Sequence, residues 1–557
     1  MSKHAPSPER IEDAALLTGR ASFVDDLPEP DNCLHLAILR ASEGHARILS
    51  LDLDAARALP GVVAVLSGAD VAALSKPLMV GVRLPMECWP IAQDRVRYNG
   101  EPVALVVARS RYIAEDALGL IEVDYEKCPA VVTPQQALEN TCLLHENVGT
   151  NLVSDRRFRY GDPEAAFAQA AHTIDIAVSY PRNSVTPIEC YGLIAQYDAF
   201  EGAYDVTANF QGPFSIHAVI ARALNVPGNK LRLRTPPASG GSFGVKQAIF
   251  PYIVLAGIAA RVAGGPVKWV EDRLEHLMAA VSATNRETIL KAAVDETGKI
   301  LALDWDQIED VGAYIRAPEP ATIYRMHGNM CGAYDIQNLA IRNRVVVTNK
   351  TPTGLVRGFG GPQVYFALER LLRRIAQVLK LDELAVIERN LIPAGAFPYR
   401  TASGALYDSG DYQRALEIAR TDGNLAGLYA KRDEARAQGR LYGIGFAAAV
   451  EPSVSNMGYV STVLSVEERR KSGPKNGAQA SATVSLDPLG GVSVHVASVP
   501  QGQGHRTVLA LVVGDVFGLP REAVSVNTDL DTSKDAWSIA SGNYLSLIHI
   551  SEPTRPY

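Results

Sequence analysis

Residues 238–246 read Ala-Ser-Gly-Gly-Ser-Phe-Gly-Val-Lys, between a strand-like run at 231–235 and a long apolar helical pattern at 248–262. Glycines here let the backbone adopt positive φ and approach a ligand closely, and N–H groups at a helix start attract anions. The loop is not a P-loop, because Val245 separates Gly244 from Lys246, and it lacks the Gly-x-Gly-x-x-Gly of a dinucleotide fingerprint. By itself it is equally typical of a tight strand-to-helix turn.

Three further turns combine glycines with hydrogen-bonding side chains. They are 209–213 (Asn-Phe-Gln-Gly-Pro), 355–363 (Leu-Val-Arg-Gly-Phe-Gly-Gly-Pro-Gln) and 501–507 (Gln-Gly-Gln-Gly-His-Arg-Thr). Together the four turns can surround a large, polar, phosphate-bearing ligand with backbone N–H groups, amide side chains and one cation. They contain no set of His, Cys or carboxylate side chains suited to hold a metal directly.

The composition excludes several classes of protein. The chain has 557 residues, 47% hydrophobic and 21% charged, with a formal net charge of −7. That length exceeds one domain, and no basic cluster interleaved with aromatic residues suggests nucleic acid as a partner. No apolar run approaches the length of a membrane span, and no secretory signal is visible, so we expect a cytoplasmic protein without a membrane span.

The six cysteines are scattered along the chain, at Cys33, Cys88, Cys128, Cys142, Cys190 and Cys331. Without a Cys-x-x-Cys pair they predict neither an iron–sulfur cluster, nor a zinc site, nor a disulfide framework within this chain. We expect free and mostly buried thiols.

Hydrophobic periodicity predicts strands and helices in alternation. Strands are expected at 34–41, 62–66, 102–107, 121–125, 174–180, 192–197, 204–209, 231–235, 441–450, 480–486, 491–498 and 523–527. Helices are expected at 55–59, 112–120, 163–171, 214–224, 248–262, 364–379 and 506–517, with a helix pair between 411 and 438. The segment 131–151 lacks sustained periodicity and is a candidate linker.

The last residues interrupt this pattern. Residues 545–557 read Leu-Ser-Leu-Ile-His-Ile-Ser-Glu-Pro-Thr-Arg-Pro-Tyr, a stretch that resembles translated sequencing adapter. We therefore expect 545–557 to be a non-native tail and the native protein to continue past Tyr544. The alternative is a genuine short C-terminal tail.

An ordered series of motifs resembles the molybdopterin-binding large subunit of the xanthine dehydrogenase, aldehyde oxidase and aerobic carbon-monoxide dehydrogenase family, the molybdenum hydroxylases. The series includes Leu16-Leu-Thr-Gly-Arg, Val96-Arg-Tyr-Asn-Gly-Glu-Pro-Val-Ala, Gly240-Gly-Ser-Phe-Gly-Val-Lys, Pro266-Val-Lys-Trp, Val356-Arg-Gly-Phe-Gly-Gly-Pro-Gln and Gly502-Gln-Gly-His. The resemblance implies an α+β fold. An N-terminal α/β hammerhead-like domain (1–130) and a linker (131–151) precede a first molybdopterin-binding domain (152–400) and a second, incomplete one (401–544).

The resemblance also implies cofactor-binding residues. Gln211 matches the glutamine that hydrogen-bonds an oxygen ligand of the molybdenum, and Arg357 lies in the segment beside the cofactor. The loop that approaches the metal corresponds to Gly241, Ser242, Phe243 and Gly244, and the stretch that holds the pterin or its nucleotide corresponds to Gln501, Gly502, Gln503, Gly504 and His505. The pterin dithiolene, and no protein side chain, holds the molybdenum. We expect the cytosine dinucleotide form of the cofactor.

The implied activity is oxidative hydroxylation of an aldehyde or an N-heteroaromatic compound, with water as the oxygen source and a glutamate as general base. That glutamate belongs to a Gly-x-Gly-Glu segment that this sequence does not contain, so no catalytic residue is assigned. Glu451, Glu467 and Glu468 are not substitutes for it, and this chain is expected to be inactive. Electrons are expected to leave through an iron–sulfur small subunit with [2Fe–2S] centres and an FAD-binding medium subunit, in a dimer of heterotrimers.

Departures from the family pattern bear on the substrate. Carbon-monoxide-oxidising members have a copper-binding cysteine where this chain has Gly358, which argues against that reaction whatever homology assigns. Xanthine-type members have a glutamate where this chain has Gln247, an amide that cannot carry charge for purine binding. Phe359 matches an aromatic residue that packs on the substrate ring. Arg325 lies near a substrate arginine, although a salt-bridged or surface arginine is the competing interpretation.

Three other interpretations stay open. The chain can be a non-catalytic cofactor-binding or assembly fragment, or a carbon-monoxide dehydrogenase large-chain homologue. It can also be an unrelated multidomain α/β binding protein whose glycine turns coincide by chance. A Gly-x-Gly-Glu segment in the complete gene discriminates the first of these, and the molybdenum content of the purified protein discriminates the last.

Overall fold

The computed structural model describes residues 9–81, 84–316, 322–450 and 481–535. Its strands are β1 (Leu34–Arg40), β2 (Ala46–Asp52), β3 (Val62–Ser67), β4 (Arg95–Val96), β5 (Pro102–Ala108), β6 (Glu122–Lys127), β7 (Leu152–Tyr160), β8 (His172–Tyr180), β9 (Gly192–Asp198), β10 (Ala203–Ala208), β11 (Leu231–Arg234), β12 (Val267–Val270), β13 (Asn285–Val294), β14 (Ile300–Asp310), β15 (Leu339–Val346), β16 (Tyr399–Arg400), β17 (Leu406–Tyr407), β18 (Ala482–Leu486), β19 (Val492–Val496) and β20 (Val524–Asn527).

The described helices are α1 (Asp13–Leu17), α2 (Asp54–Ala58), α3 (Gly68–Leu74), α4 (Arg111–Leu118), α5 (Pro134–Glu139), α6 (Pro163–Gln169), α7 (Pro213–Ala223), α8 (Phe250–Ala263), α9 (Arg273–Ala279), α10 (Gly361–Leu379), α11 (Glu383–Asn390), α12 (Tyr412–Asp422), α13 (Leu425–Ala437) and α14 (His505–Phe517). Short 3-10 helices lie at Gly228–Lys230, Val245–Ile249, Thr322–Asn329, Ala394–Ala396 and Arg521–Ala523. The chain therefore has the α+β fold that the sequence predicts.

A seven-stranded sheet joins two segments that are far apart in sequence. Its order is β11-β10-β9-β12-β1-β5-β3, so strands from 34–108 continue into strands from 192–270. The junction is the parallel pair β1–β12, in which Leu34 lies opposite Val267. All seven residues of β5 are buried, which is typical of a central strand covered on both faces. This sheet supports the glycine-rich loop, which leaves from β11.

Helix α8 is the central core helix beside this sheet. Its first eleven residues are all buried, because it is apolar on every side and can lie only inside the protein. The segment Val245–Ala263 is long and apolar enough by composition to cross a membrane, which corrects the expectation that no such run exists. However, 89% of its most apolar window is buried inside the protein, as expected of a core helix.

A second sheet, of order β7-β15-β14-β13-β8, carries the amphipathic helix α10. The predicted periodicity of 364–379 is confirmed, since Leu368, Leu371, Leu372 and Ile375 are fully buried. The opposite face of α10 carries the exposed arginines Arg370, Arg373 and Arg374, as expected for an amphipathic helix with 3.6 residues per turn. The segment that leads into this helix contacts the loop 238–246, since the Arg357 N–H donates to the Phe243 carbonyl oxygen.

A three-stranded sheet, β18-β19-β20, with α14 packed on it, forms the last described unit. It docks on the edge strand β11 through Asp531, whose carboxylate oxygen lies 2.6 Å from Arg232 Nη2. The backbone N–H of Thr235 donates to the Leu530 carbonyl oxygen at 3.0 Å. The turn 501–505 is thereby held against the strand that leads into the glycine-rich loop.

The structure differs from the sequence-based expectations in two segments, 131–151 and 441–450. The predicted strand at 441–450 is wrong: these residues form no strand, and Phe446, Ala448 and Val450 instead pack on the α10 core. Their alternating apolar side chains are buried against a helix, and the backbone does not pair with a neighbouring strand. The segment 131–151 contains the capped helix α5. The other predicted elements overlap observed ones, while Glu451, Glu467, Glu468 and 545–557 lie outside the described residues.

Candidate functional site

The glycine-rich loop adopts a backbone that few residue types tolerate. Gly241, Phe243 and Gly244 have φ values of 93°, 54° and 110°. A side chain on Gly244 would place its Cβ 2.5 Å from the Leu355 carbonyl oxygen. Close contact with the segment 355–357 therefore requires glycine, and the Arg357 N–H donates to the Phe243 carbonyl oxygen at 2.8 Å. Positive φ at Phe243 stores strain of the kind that accumulates at ligand sites.

Three predicted turns meet at this loop. The Ser242 hydroxyl donates to Gln211 Oε1, and the Ser239 hydroxyl donates to Gln501 Oε1 at 2.5 Å. Gln501 Nε2 in turn donates to the Phe210 carbonyl oxygen at 3.3 Å. Segments more than 200 residues apart in the chain are thus joined by direct hydrogen bonds. The structure brings the predicted cofactor-binding residues together, while the role of each stays a prediction.

A buried ion pair lies beneath the loop. Glu189 Oε2 accepts hydrogen bonds from Lys246 Nζ at 2.5 Å and from the Gly240 N–H at 2.7 Å, and Lys246 Nζ also donates to the Ser239 hydroxyl oxygen at 3.2 Å. The Lys246 side chain has no exposed surface. Burial lowers the pKa of Lys246, and the Glu189 carboxylate opposes that shift. The sequence analysis missed Glu189, because a single acid in an irregular segment has no local pattern that distinguishes it.

The turn 501–505 is anchored by the N-terminal segment. Glu12 Oε1 accepts from the backbone N–H groups of Arg506 at 3.0 Å and Thr507 at 3.3 Å, and Glu12 Oε2 accepts from the Thr507 hydroxyl at 2.5 Å. A carboxylate at a helix N terminus is favoured by the unpaired N–H groups there. Burial acts to raise the pKa of Glu12, but the hydrogen bonds from Thr507 and from the Glu12 backbone, together with the charge of Arg10, outweigh it and the pKa is lowered.

This anchor shapes the predicted pterin-binding turn. Gly502 and Gly504 have positive φ, and the Gln501 N–H donates to Gln503 Oε1. Burial lowers the pKa of His505, against the opposing effect of Glu12. A Cβ added to Gly502 would meet no atom within 4 Å, so the backbone of the turn faces open space.

The predicted substrate residues occupy two places. Phe359 and Arg357 line a small cleft together with Tyr180, Asn183, Thr284, Thr322 and Gln363. The Arg325 guanidinium lies 5.7 Å from the centroid of the Phe359 ring, and its Nη1 donates to the Gly358 carbonyl oxygen at 3.1 Å. Arg325 thus supports the Phe359 turn directly.

Gln247, the other predicted substrate residue, lies beside helix α7 and not beside the Phe359 turn. Its Nε2 donates to the Ser215 hydroxyl in the first turn of α7 at 2.9 Å, and its side chain is buried. Its Oε1 is buried without a hydrogen-bond partner among the described residues. A buried carbonyl oxygen without a donor is costly, so this atom is suited to accept from a water or a ligand group.

A group of potential metal ligands was also missed by the sequence analysis. One ligand atom from each of Cys190, Glu271 and His276 lies within 4.8 Å of the others. Spacing along the chain could not reveal this group, because Cys190 precedes β9 while the other two flank the start of α9.

The arrangement fits a large polar ligand held by amides and backbone groups. There is room for a ligand around the joined turns, because the backbone at Gly502 faces open space and the ring of Phe243 is exposed. The Gln247 carbonyl oxygen, which has no partner among the described residues, can accept a hydrogen bond from such a ligand. No charged side chain has to be displaced from Gln211 or Ser242, which bond to each other. These features agree with the pterin cofactor that the sequence resemblance implies.

Comparisons with known protein families give matches over most of the chain. The model for the molybdopterin cofactor-binding domain matches residues 144–391, and a second molybdopterin cofactor-binding domain matches 419–546. The model for the aldehyde oxidase and xanthine dehydrogenase a/b hammerhead domain matches residues 18–129.

Individual relatives are similar along nearly the whole chain. The carbon monoxide dehydrogenase large chain of Hydrogenophaga pseudoflava is 30% identical over 95% of this chain and 67% of its own length. The nicotine 6-hydroxylase large subunit of Paenarthrobacter nicotinovorans is 30% identical over 94% of this chain and 63% of its own length. The crystal structure of quinoline 2-oxidoreductase from Pseudomonas putida 86 superposes with a TM-score of 0.87 at 33% identity, covering 97% of this chain and 68% of that one. The chain thus spans about two thirds of the length of these relatives.

Proposed function

We propose that this chain holds the molybdenum cofactor of an enzyme that hydroxylates an N-heteroaromatic compound. The proposal starts from the family: this chain belongs to the xanthine dehydrogenase, aldehyde oxidase and carbon-monoxide dehydrogenase family of molybdenum hydroxylase large subunits. The observation that carries the proposal is the meeting of Gln211, Ser242 and Gln501 across the sequence. When bound, the cofactor supplies the two-electron oxidation and the transfer of a water-derived oxygen atom.

The residues of this chain position that group. The Ser242 hydroxyl occupies Gln211 Oε1, which leaves the Gln211 amide nitrogen as the donor for a ligand oxygen. Glu189 and Lys246 hold the loop from below, and the backbone of 240–244 approaches closely because glycines carry no Cβ. The turn 501–505 supplies N–H and amide groups for the pterin or its nucleotide, for which we propose the cytosine dinucleotide form.

The surroundings of Phe359 favour an aromatic substrate. Phe359 and Tyr180 line one narrow cleft, together with the polar side chains of Asn183 and Gln363, so that aromatic and hydrogen-bonding groups lie side by side there. The likeness to quinoline 2-oxidoreductase and to a nicotine 6-hydroxylase subunit supports this substrate class. An aldehyde remains the second substrate class of the proposal.

Gly358 argues against carbon-monoxide oxidation despite the 30% identity to a carbon monoxide dehydrogenase large chain. Gly358 has a φ of 92°, and a Cβ there would lie 2.7 Å from Cδ of Pro362. A cysteine at this position would therefore need the turn to move, so the turn is built for a residue without a side chain.

The proposal extends to partners. Relatives are named large chain or large subunit, which implies complexes of several subunits. Since the cysteines lack cluster spacing, we propose an iron–sulfur subunit and an FAD-binding subunit as electron acceptors, in a dimer of heterotrimers.

A second candidate is a chain that binds the cofactor without turnover. This candidate claims less, because the chain spans 67% of the carbon monoxide dehydrogenase large chain and 63% of the nicotine 6-hydroxylase large subunit that it matches, and the turnover of a whole enzyme needs more than cofactor binding. The two candidates agree on cofactor binding and differ in turnover.

The test uses the chain produced in cells that synthesise the molybdenum cofactor. We expect close to one molybdenum per chain, with CMP released by acid hydrolysis, and a strong loss of both in Gln211→Ala but not in the exposed control Gln438→Ala. Absence of molybdenum from the wild-type protein would refute both candidates. Turnover of quinoline- or pyridine-type compounds in the presence of partner subunits, with oxygen from labelled water, separates the hydroxylase from the cofactor-binding chain.

A further inference from the structure

Cys190, Glu271 and His276 form a compact group beside the glycine-rich loop but outside the residues assigned to the cofactor. Cys190 follows Glu189, the residue that bonds Lys246, while Glu271 and His276 lie on either side of the first turn of α9. One ligand atom of each lies within 4.8 Å of the others. Three different donor types, a thiol sulfur, a carboxylate oxygen and an imidazole nitrogen, therefore converge on one point.

The carboxylate and the imidazole are buried with bonding capacity unused. The side chains of Glu271 and His276 have no exposed surface, and His276 Nδ1 lies 2.6 Å from Glu271 Oε2. That oxygen also accepts from the Tyr191 N–H at 3.2 Å. Glu271 Oε1 and His276 Nε2 are both buried without a hydrogen-bond partner among the described residues. Two unpaired polar atoms in one buried pair are costly unless a further ligand satisfies them.

The chemistry of the group matches one kind of ion. Thiolate, imidazole and carboxylate are together the ligands of Zn²⁺, which prefers four tetrahedral ligands. A thiolate, a carboxylate and a neutral imidazole carry two negative charges, so a divalent cation makes the buried group electrically neutral. Zn–ligand bonds of about 2.0–2.3 Å place ligand atoms roughly 3.5 Å apart, so side-chain shifts of about 1 Å close the site.

We propose that Cys190, Glu271 and His276 bind Zn²⁺, with water as the fourth ligand on the partly exposed side of Cys190. The ion replaces the proton of the Cys190 thiol and joins the segment of Glu189 to the start of α9. Because Glu189 bonds the glycine-rich loop, the ion braces the segment that holds this loop. The proposal is independent of the activity proposed above, since it needs neither molybdenum nor substrate.

The first test measures metal binding directly. The full chain is treated with a chelator, returned to Zn²⁺ and analysed for metal after gel filtration, and Co²⁺ is used as the spectroscopic probe. We expect one equivalent of Zn²⁺ per chain and a thiolate-to-Co²⁺ charge-transfer absorption. Cys190→Ser should abolish that absorption. His276→Gln removes a direct ligand and should weaken Zn²⁺ binding by more than about 100-fold, the upper value for loss of an outer hydrogen-bond partner. Cys128→Ser, which alters another partly exposed thiol, should behave as wild type.

A second measurement needs no variant and so does not depend on the folding of a mutant. Alkylation of each cysteine in the wild-type chain is followed by mass spectrometry with and without Zn²⁺. We expect Zn²⁺ to slow the alkylation of Cys190 at least tenfold and to leave Cys128 unchanged. Equal alkylation of Cys190 in both conditions, or an unchanged Co²⁺ absorption in Cys190→Ser, would overturn the proposal.

Discussion

Lys246 Nζ lies 2.5 Å from Glu189 Oε2, directly beneath the glycine-rich loop, and this ion pair is shielded from solvent on the lysine side. The same carboxylate oxygen accepts from the Gly240 N–H, so one side chain supports both ends of the loop. The ammonium group and the loop therefore depend on one carboxylate.

Glu189→Gln should destabilise the protein by about 3 kcal/mol, because it leaves the Lys246 charge buried without its counter-ion. Chemical denaturation measures this loss, and the molybdenum content should fall with it. Glu201→Gln is the matched control, since its partner Lys230 is a surface pair at 2.9 Å and should change stability by less than about 1 kcal/mol. If Glu189→Gln/Lys246→Met is no more stable than Glu189→Gln, the unpaired charge is not the cause.

Gly244→Ala should destabilise the loop by about 2 kcal/mol or more. The added Cβ combines an unfavourable φ of 110° with a distance of 2.5 Å to the Leu355 carbonyl oxygen. Gly264→Ala tests the backbone effect alone, because φ is 70° there and the added Cβ meets nothing within 4 Å. We expect it to cost about 1 kcal/mol. Equal thermal shifts for the two variants would contradict a steric role for the loop contact.

Glu12→Ala should remove the cap from α14 and cost about 1 kcal/mol. Amide hydrogen exchange should accelerate in the first turn of α14 and stay unchanged in α7. Because the pKa of Glu12 is lowered in the folded protein, its contribution is present above the unfolded value of 4.5 and is lost as pH falls below it. The difference between Glu12→Ala and wild type should therefore shrink in acid, and a difference that grows there would exclude this explanation.

The carboxyl group of Glu369 should give the opposite dependence of the free energy of unfolding on pH. Burial raises its pKa to about 7, against the hydrogen bond from the Tyr334 hydroxyl, and Glu383 adds to the rise. A carboxyl with a raised folded pKa favours folding at low pH and loses that contribution as pH rises from about 4.5 to about 7.

Glu369→Gln should therefore gain stability relative to wild type between pH 5 and pH 8, on the order of 2 kcal/mol. Urea denaturation at both pH values measures the gain. The exposed Glu139→Gln serves as control and should run parallel to wild type. A constant difference between Glu369→Gln and wild type across this range would show that Glu369 does not titrate there.

Local pattern was sufficient for much of the fold. The periodic apolar residues of α10 predict that helix because the side chains of a helix repeat every 3.6 residues, whereas α8 is predicted by the length of its continuous apolar run. The four glycine turns are recognisable because a backbone with positive φ selects glycine at particular positions. Prediction from periodicity fails where an apolar alternation is short and the element that it packs against is unknown. At 441–450 the alternation reflects packing on α10 and not a strand.

Sequence alone thus established most element types and the family, and it predicts the segments that approach the cofactor, since each leaves a mark within a few neighbouring residues. Only the tertiary structure decided that Glu189 pairs with Lys246, that Glu12 caps α14 and that Cys190 meets His276. These contacts join residues far apart in the chain, and their energy depends on distance and burial in the folded state. A single acid, cysteine or histidine has the same appearance in sequence whether or not such a partner exists.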